Sequence, residues 1–202
     1  MLLLKHALRN TNKALDRLQQ YKIESEVLES KYQHFIGEMI MLRLFSTFED
    51  CVAEIAYKIA VGAAYSNGTQ PILNVKANSV GGSRSLFLIY GRPKPIQNLK
   101  WTKAKYIRES VQHIMPVNEK FITNAQIHGA LIDEMRKVRN VLAHNTSSAK
   151  VDFRDVVRQI YGANIKITAG AFLCSTRRSH ICNLSRYIAS TRIILSDIAK
   201  GS

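Results

Sequence analysis

The run Arg136-Lys-Val-Arg139-Asn140-Val-Leu-Ala-His144-Asn145 puts an arginine, an amide and a histidine within six residues. The chemistry suited to this set is phosphodiester cleavage in RNA. Histidine titrates near neutrality, so it can take a proton from a ribose 2′-hydroxyl or give one to the departing 5′-oxygen. Arginine keeps its charge, and its planar fork can hold the phosphate while negative charge builds there. Asn140 can hydrogen-bond the phosphate or hold the histidine tautomer. No HExxH and no set of carboxylates at Mg²⁺-ligand spacing accompanies them. Attack by the RNA's own 2′-hydroxyl needs no metal or cofactor, and leaves a 2′,3′-cyclic phosphate and a 5′-hydroxyl.

Two conditions follow. On a continuous helix Arg139 and His144 stand about 140° apart around the axis, so the last turn before Asn145 is expected to loosen if both are to reach one pocket. One motif also offers one histidine, whereas acid and base roles at two oxygens are better filled by two groups. A two-fold homodimer that brings the motifs together supplies the second His144 and Arg139.

The elements that must position this segment read as helices. Apolar residues return at three- and four-residue spacing from Leu4 through Leu8, Leu15 and Leu18 to Leu28. A second stripe, Ile40, Leu44, Phe48, Cys51, Ile55 and Ile59, predicts a helix over about 37–64, closed by Ser66-Asn67-Gly68. From 69 to 100 the pattern fails among Pro71, Gly81, Gly82, Gly91, Pro93 and Pro95, with only Leu86 to Tyr90 reading as a short strand or buried run. Ser79-Val-Gly-Gly-Ser-Arg84 lacks the Gly-Lys-Ser/Thr ending of a phosphate cradle and reads as surface loop. Helical spacing resumes near Thr102 and stops at Pro116. A stronger helix starts at about Asn118 or Asn124 and runs to His144 on Ile127, Leu131, Met135, Val138 and Leu142. Asp152 is the expected N-cap of a short helix to Tyr161. Ile165-Lys-Ile167 reads as strand-like, and a last helix is expected from about Gly170 to Ala199. The sum is an all-α bundle of five to six helices in a single domain, 1–202, with an irregular loop insertion at about 66–100.

Twenty-nine Lys and Arg against 15 Asp and Glu leave a net charge of +14, which favours a polyanionic partner. A 46% hydrophobic content is enough for a core and excludes a disordered tail. Lys5 and His6 interrupt the apolar start, and no window reaches the length of a membrane span, so a cytoplasmic chain without membrane contact is expected. Cys51, Cys174 and Cys182 form no CxxC pair and read as reduced, buried thiols.

Arg136 and Lys137, then Lys150, Arg154 and Arg158 at helical spacing, bracket His144 and are the candidate RNA-binding cations. Glu49, Asp50 and Glu54 are candidates to orient Arg139 or His144 from across the bundle; the plain alternative is exposed charge. Tyr90, Trp101 and Tyr106, among Arg92, Lys94, Lys100, Lys103 and Lys105, suit base stacking, although core packing is the better expectation for Trp101. His6, His34, His128 and His180 have no arginine at motif spacing; Arg108 stands five residues before His113, but with Glu109 where the motif has its amide, and all five read as surface or core histidines.

Arg139-Asn-Val-Leu-Ala-His144 resembles the R-x4-H motif of the HEPN superfamily of helical ribonucleases. The helix with Ser46-Thr-Phe-Glu49-Asp50-Cys-Val-Ala-Glu54 is similar to that superfamily's acidic second helix. Lys100-Trp101 and the helix after it, then Ile165-Lys-Ile-Thr168 before a long C-terminal helix, resemble the RiboL-PSP-HEPN subgroup. The resemblance implies an all-helical fold, dimerisation with facing motifs, and metal-independent RNA cleavage in toxin or phage-defence settings. In one branch, with a small nucleotidyltransferase as antitoxin, a tyrosine stands two residues after the histidine. Here that position is Thr146, which speaks against control by tyrosine modification and leaves an unrelated antitoxin or a larger defence complex as open alternatives for a partner. The alternative class is a non-catalytic helical module that binds RNA or protein. A DNA-binding regulator is disfavoured by the lack of a helix-turn-helix pair.

Overall fold

The chain is all-α, as its periodicity predicts, and the computed structural model describes residues 4–176 and 180–201. Met1 to Leu3 of the apolar start and residues 177–179 of the expected last helix lie outside the described residues. Nine helices, rather than five to six, and no strand occur among the described residues.

Helix α1 (Leu4–Ser25) buries Leu4, Ala7, Leu15 and Leu18 on one stripe. Helix α2 (Ser30–Ala60) starts earlier than its apolar pattern suggested and stops earlier too. Gly62, at φ 84°, closes it: Gly62 N–H bonds to Ile59 O at 2.8 Å and Ala63 N–H to Lys58 O at 3.0 Å. This is the paired closure a left-handed residue permits, so Ser66-Asn67-Gly68 lies beyond the helix.

The expected loop excursion holds a helix, α3 (Val80–Ile89). Ser79 caps it, its Oγ accepting from Gly82 N–H at 3.0 Å, while Ser83 and Phe87 are buried one turn apart. The cap and this buried pair outweigh the low helix propensity of Gly81 and Gly82. Helix α4 (Ala104–Val111) is shorter than its spacing suggested, and the stretch before His144 is divided at His128 into α5 (Lys120–Ile127) and α6 (Gly129–His144). Helix α7 (Ser147–Tyr161) is capped by Thr146, whose hydroxyl accepts from Ala149 N–H at 3.3 Å. Asp152 is therefore an interior residue. Ile165 to Ile167 form no strand, and the expected last helix is two: α8 (Ala169–Cys174) and α9 (Asn183–Lys200).

The chain divides into two compact units. The first comprises Met1–Thr11, Phe48–Asp133 and Ile193–Ser202. Its core gathers Phe48, Ile55, Phe87, Ile107, Phe121 and Ile194. The Trp101 ring stands edge-on to Tyr57 at 6.1 Å, and Trp101 is buried, a core residue. Arg92 donates to the carbonyls of Phe87, Glu109 and Ser110, so it ties α3 to α4. Tyr65 donates to the buried carboxylate of Glu119 at 2.5 Å and accepts from Phe121 N–H, while Ile72 N–H bonds to the other Glu119 oxygen at 2.8 Å. His128 pairs with Asp197 at 2.8 Å.

The second unit comprises Asn12–Thr47 and Glu134–Arg192, with Leu15, Leu44, Met135, Val138, Phe153 and Tyr187 among its buried residues. Phe153 and Phe172 meet edge to face at 5.4 Å. Cys51 and Cys182 are buried as expected, Cys174 is half-buried, and all three are free thiols. No described helix is long and apolar enough to cross a membrane.

Candidate active site

Helix α6 carries the motif to its end. Met135 and Val138 are fully buried, which leaves the opposite side of the helix to polar residues. Arg136, Lys137, Asn140 and His144 fall within about 100° of one another around the axis, so they share that side. Arg139 lies at the edge of the buried side, half-buried, with its guanidinium carbon 5.6 Å from the centre of the Phe45 ring. A cation over an aromatic face is held electrostatically.

The helix does not loosen before Asn145. Asn145 N–H bonds to Val141 O at 3.2 Å, so α-helical geometry persists through His144 and the angle of about 140° between Arg139 and His144 remains. Side-chain reach closes part of that gap. Arg139 Nη1 donates to Asn140 Oδ1 at 3.1 Å. Asn140 stands one turn before His144, about 40° from it, so this contact joins Arg139 to a residue on the face where His144 is exposed. With its carbonyl oxygen turned to Arg139, Asn140 has its amide N–H groups left to offer a phosphate.

Two residues join α6 to α7. Asn145 has φ 46°, the one described non-glycine residue in the left-handed region, and Thr146 is already the cap of α7. Asparagine accepts this conformation more readily than other side chains with a Cβ. The corner fixes where the last turn of α6 presents His144. We expect Asn145→Val to cost about 1–2 kcal/mol in urea unfolding while Asn145→Gly stays near neutral. Equal losses for both would show that the asparagine side chain, not its backbone, holds the corner.

The start of α6 in the second unit is anchored by residues that spacing alone did not single out. Glu134 accepts from Arg186 Nη2 at 2.5 Å and from Tyr187 Oη at 2.7 Å. Burial, then the Glu134 charge, hold the Tyr187 phenol well above its ordinary range. Burial opposes the Arg186 charge, but the contacts with Glu134 and Tyr187 together outweigh it and raise that group too. Thr191 Oγ1 donates to Met135 Sδ at 3.5 Å. A glutamate on one helix and an Arg-Tyr pair on another carry no local signature, so only the fold reveals this clamp.

Lys150, Arg154 and Arg158 are exposed on α7, and Arg158 pairs with Asp155 at 3.0 Å. Glu49 and Asp50 belong to α2 in the first unit, Glu49 half-buried and Asp50 exposed; Glu54 pairs with Lys58 at 2.6 Å. Tyr90 is exposed, and Tyr106 holds Lys100 Nζ 5.4 Å from its ring centre. Among the described residues no three His, Cys, Asp or Glu side chains gather as a metal-ligand set.

No family model, no curated protein and no solved structure matches this chain. What the corner can do follows from its side chains. It presents a titratable imidazole, a permanent cation and an amide at one helix end, beside further cations.

Proposed function

We propose that this protein is a metal-independent endoribonuclease, a toxin or phage-defence effector of the HEPN kind that acts in the cytoplasm as a homodimer. The observation that carries the reading is the hydrogen bond from Arg139 to Asn140, a residue on the helix face that exposes His144. In the reaction, the His144 imidazole of one protomer removes the proton of a ribose 2′-hydroxyl. The 2′-oxygen attacks phosphorus, and the P–O5′ bond breaks with a proton from the second protomer's imidazole. Arg139 and the Asn140 amide hold the non-bridging oxygens as charge builds on them. Arg136, Lys137, Lys150, Arg154 and Arg158 gather the polyanion. An antitoxin or a larger defence complex would hold the activity in check.

A dimer also needs a face. Tyr21, Tyr32, Phe35 and Met39 are all exposed along α1 and α2, beside Val27 and Leu28 in the link between them. With Leu18, Ile36, Ile40 and Arg43, several of them line a groove of about 570 Å³. Six side chains at on the order of 100 Å² each approach the ~800 Å² per partner of a standard interface, and a second copy is the partner this reading supplies. We expect Phe35→Glu with Met39→Glu to weaken self-association at least about tenfold. Sedimentation of the two proteins side by side checks this, and an unchanged profile would remove the face from the dimer.

The ribonuclease reading is tested by incubating purified protein with total RNA in EDTA and analysing the ends. Fragments with 2′,3′-cyclic phosphate and 5′-hydroxyl ends are expected. Intact RNA would leave the second reading, a non-catalytic RNA- or protein-binding module, which is favoured by the angle the unbroken helix keeps between Arg139 and His144.

A further inference from the structure

The segment after α7 makes a second wall to the basic face of that helix. Gly162, at φ 69°, closes α7 with its N–H bonded to Arg158 O at 2.8 Å, and Thr168 caps α8, so residues 163–167 run between two fixed ends. The edge-to-face contact of Phe153 with Phe172 keeps α8 against α7. Between the helix and this segment lies a cleft of about 950 Å³ that begins at Ser147, three residues past His144.

Its lining combines two chemistries. Lys150, Arg154 and Arg158 stand at four-residue steps, about 6 Å apart along the axis, and Lys166 faces them from the opposite wall. Against these four cations stands one carboxylate, Asp155, bonded to Arg158. Between the cations, Val151 is 47% and Ile165 is 43% exposed. A merely solvated helix face gains nothing from showing apolar side chains inside a cleft. A single nucleic-acid strand uses both kinds of group, since its phosphates follow a row of cations and its unpaired bases lie on apolar surface. A duplex hides its base faces and offers mainly phosphates and groove edges.

We infer that this cleft seats single-stranded RNA, with Lys166 as a fourth phosphate contact and Val151 and Ile165 as the surface under the bases. The inference rests on the ribonuclease reading for the identity of the strand as RNA. Its geometry stands apart from the chemistry at His144.

The test uses the full chain carrying His144→Ala, so that binding is read without cleavage. Affinity for a labelled mixed-sequence RNA strand and for the same sequence as a duplex is measured by anisotropy across salt concentrations. The single strand should bind about tenfold more tightly. Adding Arg154→Ala and Lys166→Ala should weaken strand binding at least about tenfold and flatten the salt slope by about 1.4, near 0.7 for each lost phosphate contact. Adding Val151→Ser and Ile165→Ser should weaken it several-fold with the slope unchanged. Melting profiles report whether each variant is folded. Equal affinity for the duplex, binding untouched by the four cleft substitutions, or preference for anionic lipid vesicles over RNA would overturn the inference. The two readings fail separately. Strand binding through the cleft without any cleavage by the unsubstituted protein sinks the nuclease alone, whereas cleavage with cleft variants that bind normally sinks the cleft alone.

Discussion

His144→Ala should lower the rate of RNA cleavage by about 10²- to 10⁴-fold, the usual contribution of a group that moves a proton in the transition state. The substitution is a clean one. His144 is exposed at the last position of α6, so its loss removes no buried packing. The activity effect is therefore expected with little change in unfolding free energy. Arg139→Ala should also lower the rate, but that change removes the guanidinium from the Phe45 ring and from Asn140 as well, so stability and catalysis fall together. Arg139→Lys keeps the charge and loses the planar fork, and should recover part of the fold without recovering the rate. Cleavage by the His144→Ala protein at the original rate would exclude the imidazole from the reaction.

The stripe of α2 was legible in the sequence, since Ile40, Leu44, Phe48, Cys51, Ile55 and Ile59 are all buried; of the first stripe Leu4, Leu15 and Leu18 are buried, Leu8 is half-buried, and Leu28 is exposed beyond the end of α1. Boundaries were less legible, because they are set by hydrogen bonds that a stripe does not report. Gly62 ends α2 through its own backbone conformation, ahead of the more conspicuous Asn67-Gly68. Thr146 starts α7 one turn and a half before Asp152, and both residue types are good caps. Helix α3 was hidden because Gly81 and Gly82 argue against a helix locally, while the burial of Phe87 that favours it is a tertiary effect.

The candidate site divides in the same way. Arg139, Asn140 and His144 are visible as a spacing because they lie on one helix. The expected loosening of its last turn is absent, since Asn145 takes the left-handed turn after His144 rather than before it. The Glu134 clamp and the Lys166 wall depend on contacts between segments distant in sequence, and no single-helix pattern contains them.

Stability should collapse at alkaline pH, from about pH 10 upward, and in both units. Three buried acids keep their protons in the folded chain. Burial, then hydrogen bonding to Glu119 and its charge, hold the Tyr65 phenol far above its ordinary range. Burial and Glu134 do the same for Tyr187. Burial pushes the Cys51 thiol up from 9.0 to about 11. A folded-state pKa above the unfolded one gives stability that is complete below the unfolded value and lost as pH rises toward the folded value. Cys51 therefore begins to cost between pH 9 and 11, and the two tyrosines from about pH 10, where phenols of the unfolded chain ionise. A fully coupled group contributes a slope of about 1.4 kcal/mol per pH unit, and the three together, each about three-quarters coupled near pH 10.5, give about 3 kcal/mol per unit there. A net stability of roughly 5–15 kcal/mol is then exhausted within a few pH units. Urea unfolding from pH 7 to 11.5 should show a plateau to about 9 and a steep fall above 10, with tyrosinate absorbance of the buried phenols rising only as helical ellipticity is lost. Tyr187→Phe should start from lower stability, since Glu134 loses a donor, yet fall less steeply with pH because one proton no longer couples to unfolding. Tyrosinate formation at all eight tyrosines with the helices intact would refute the linkage.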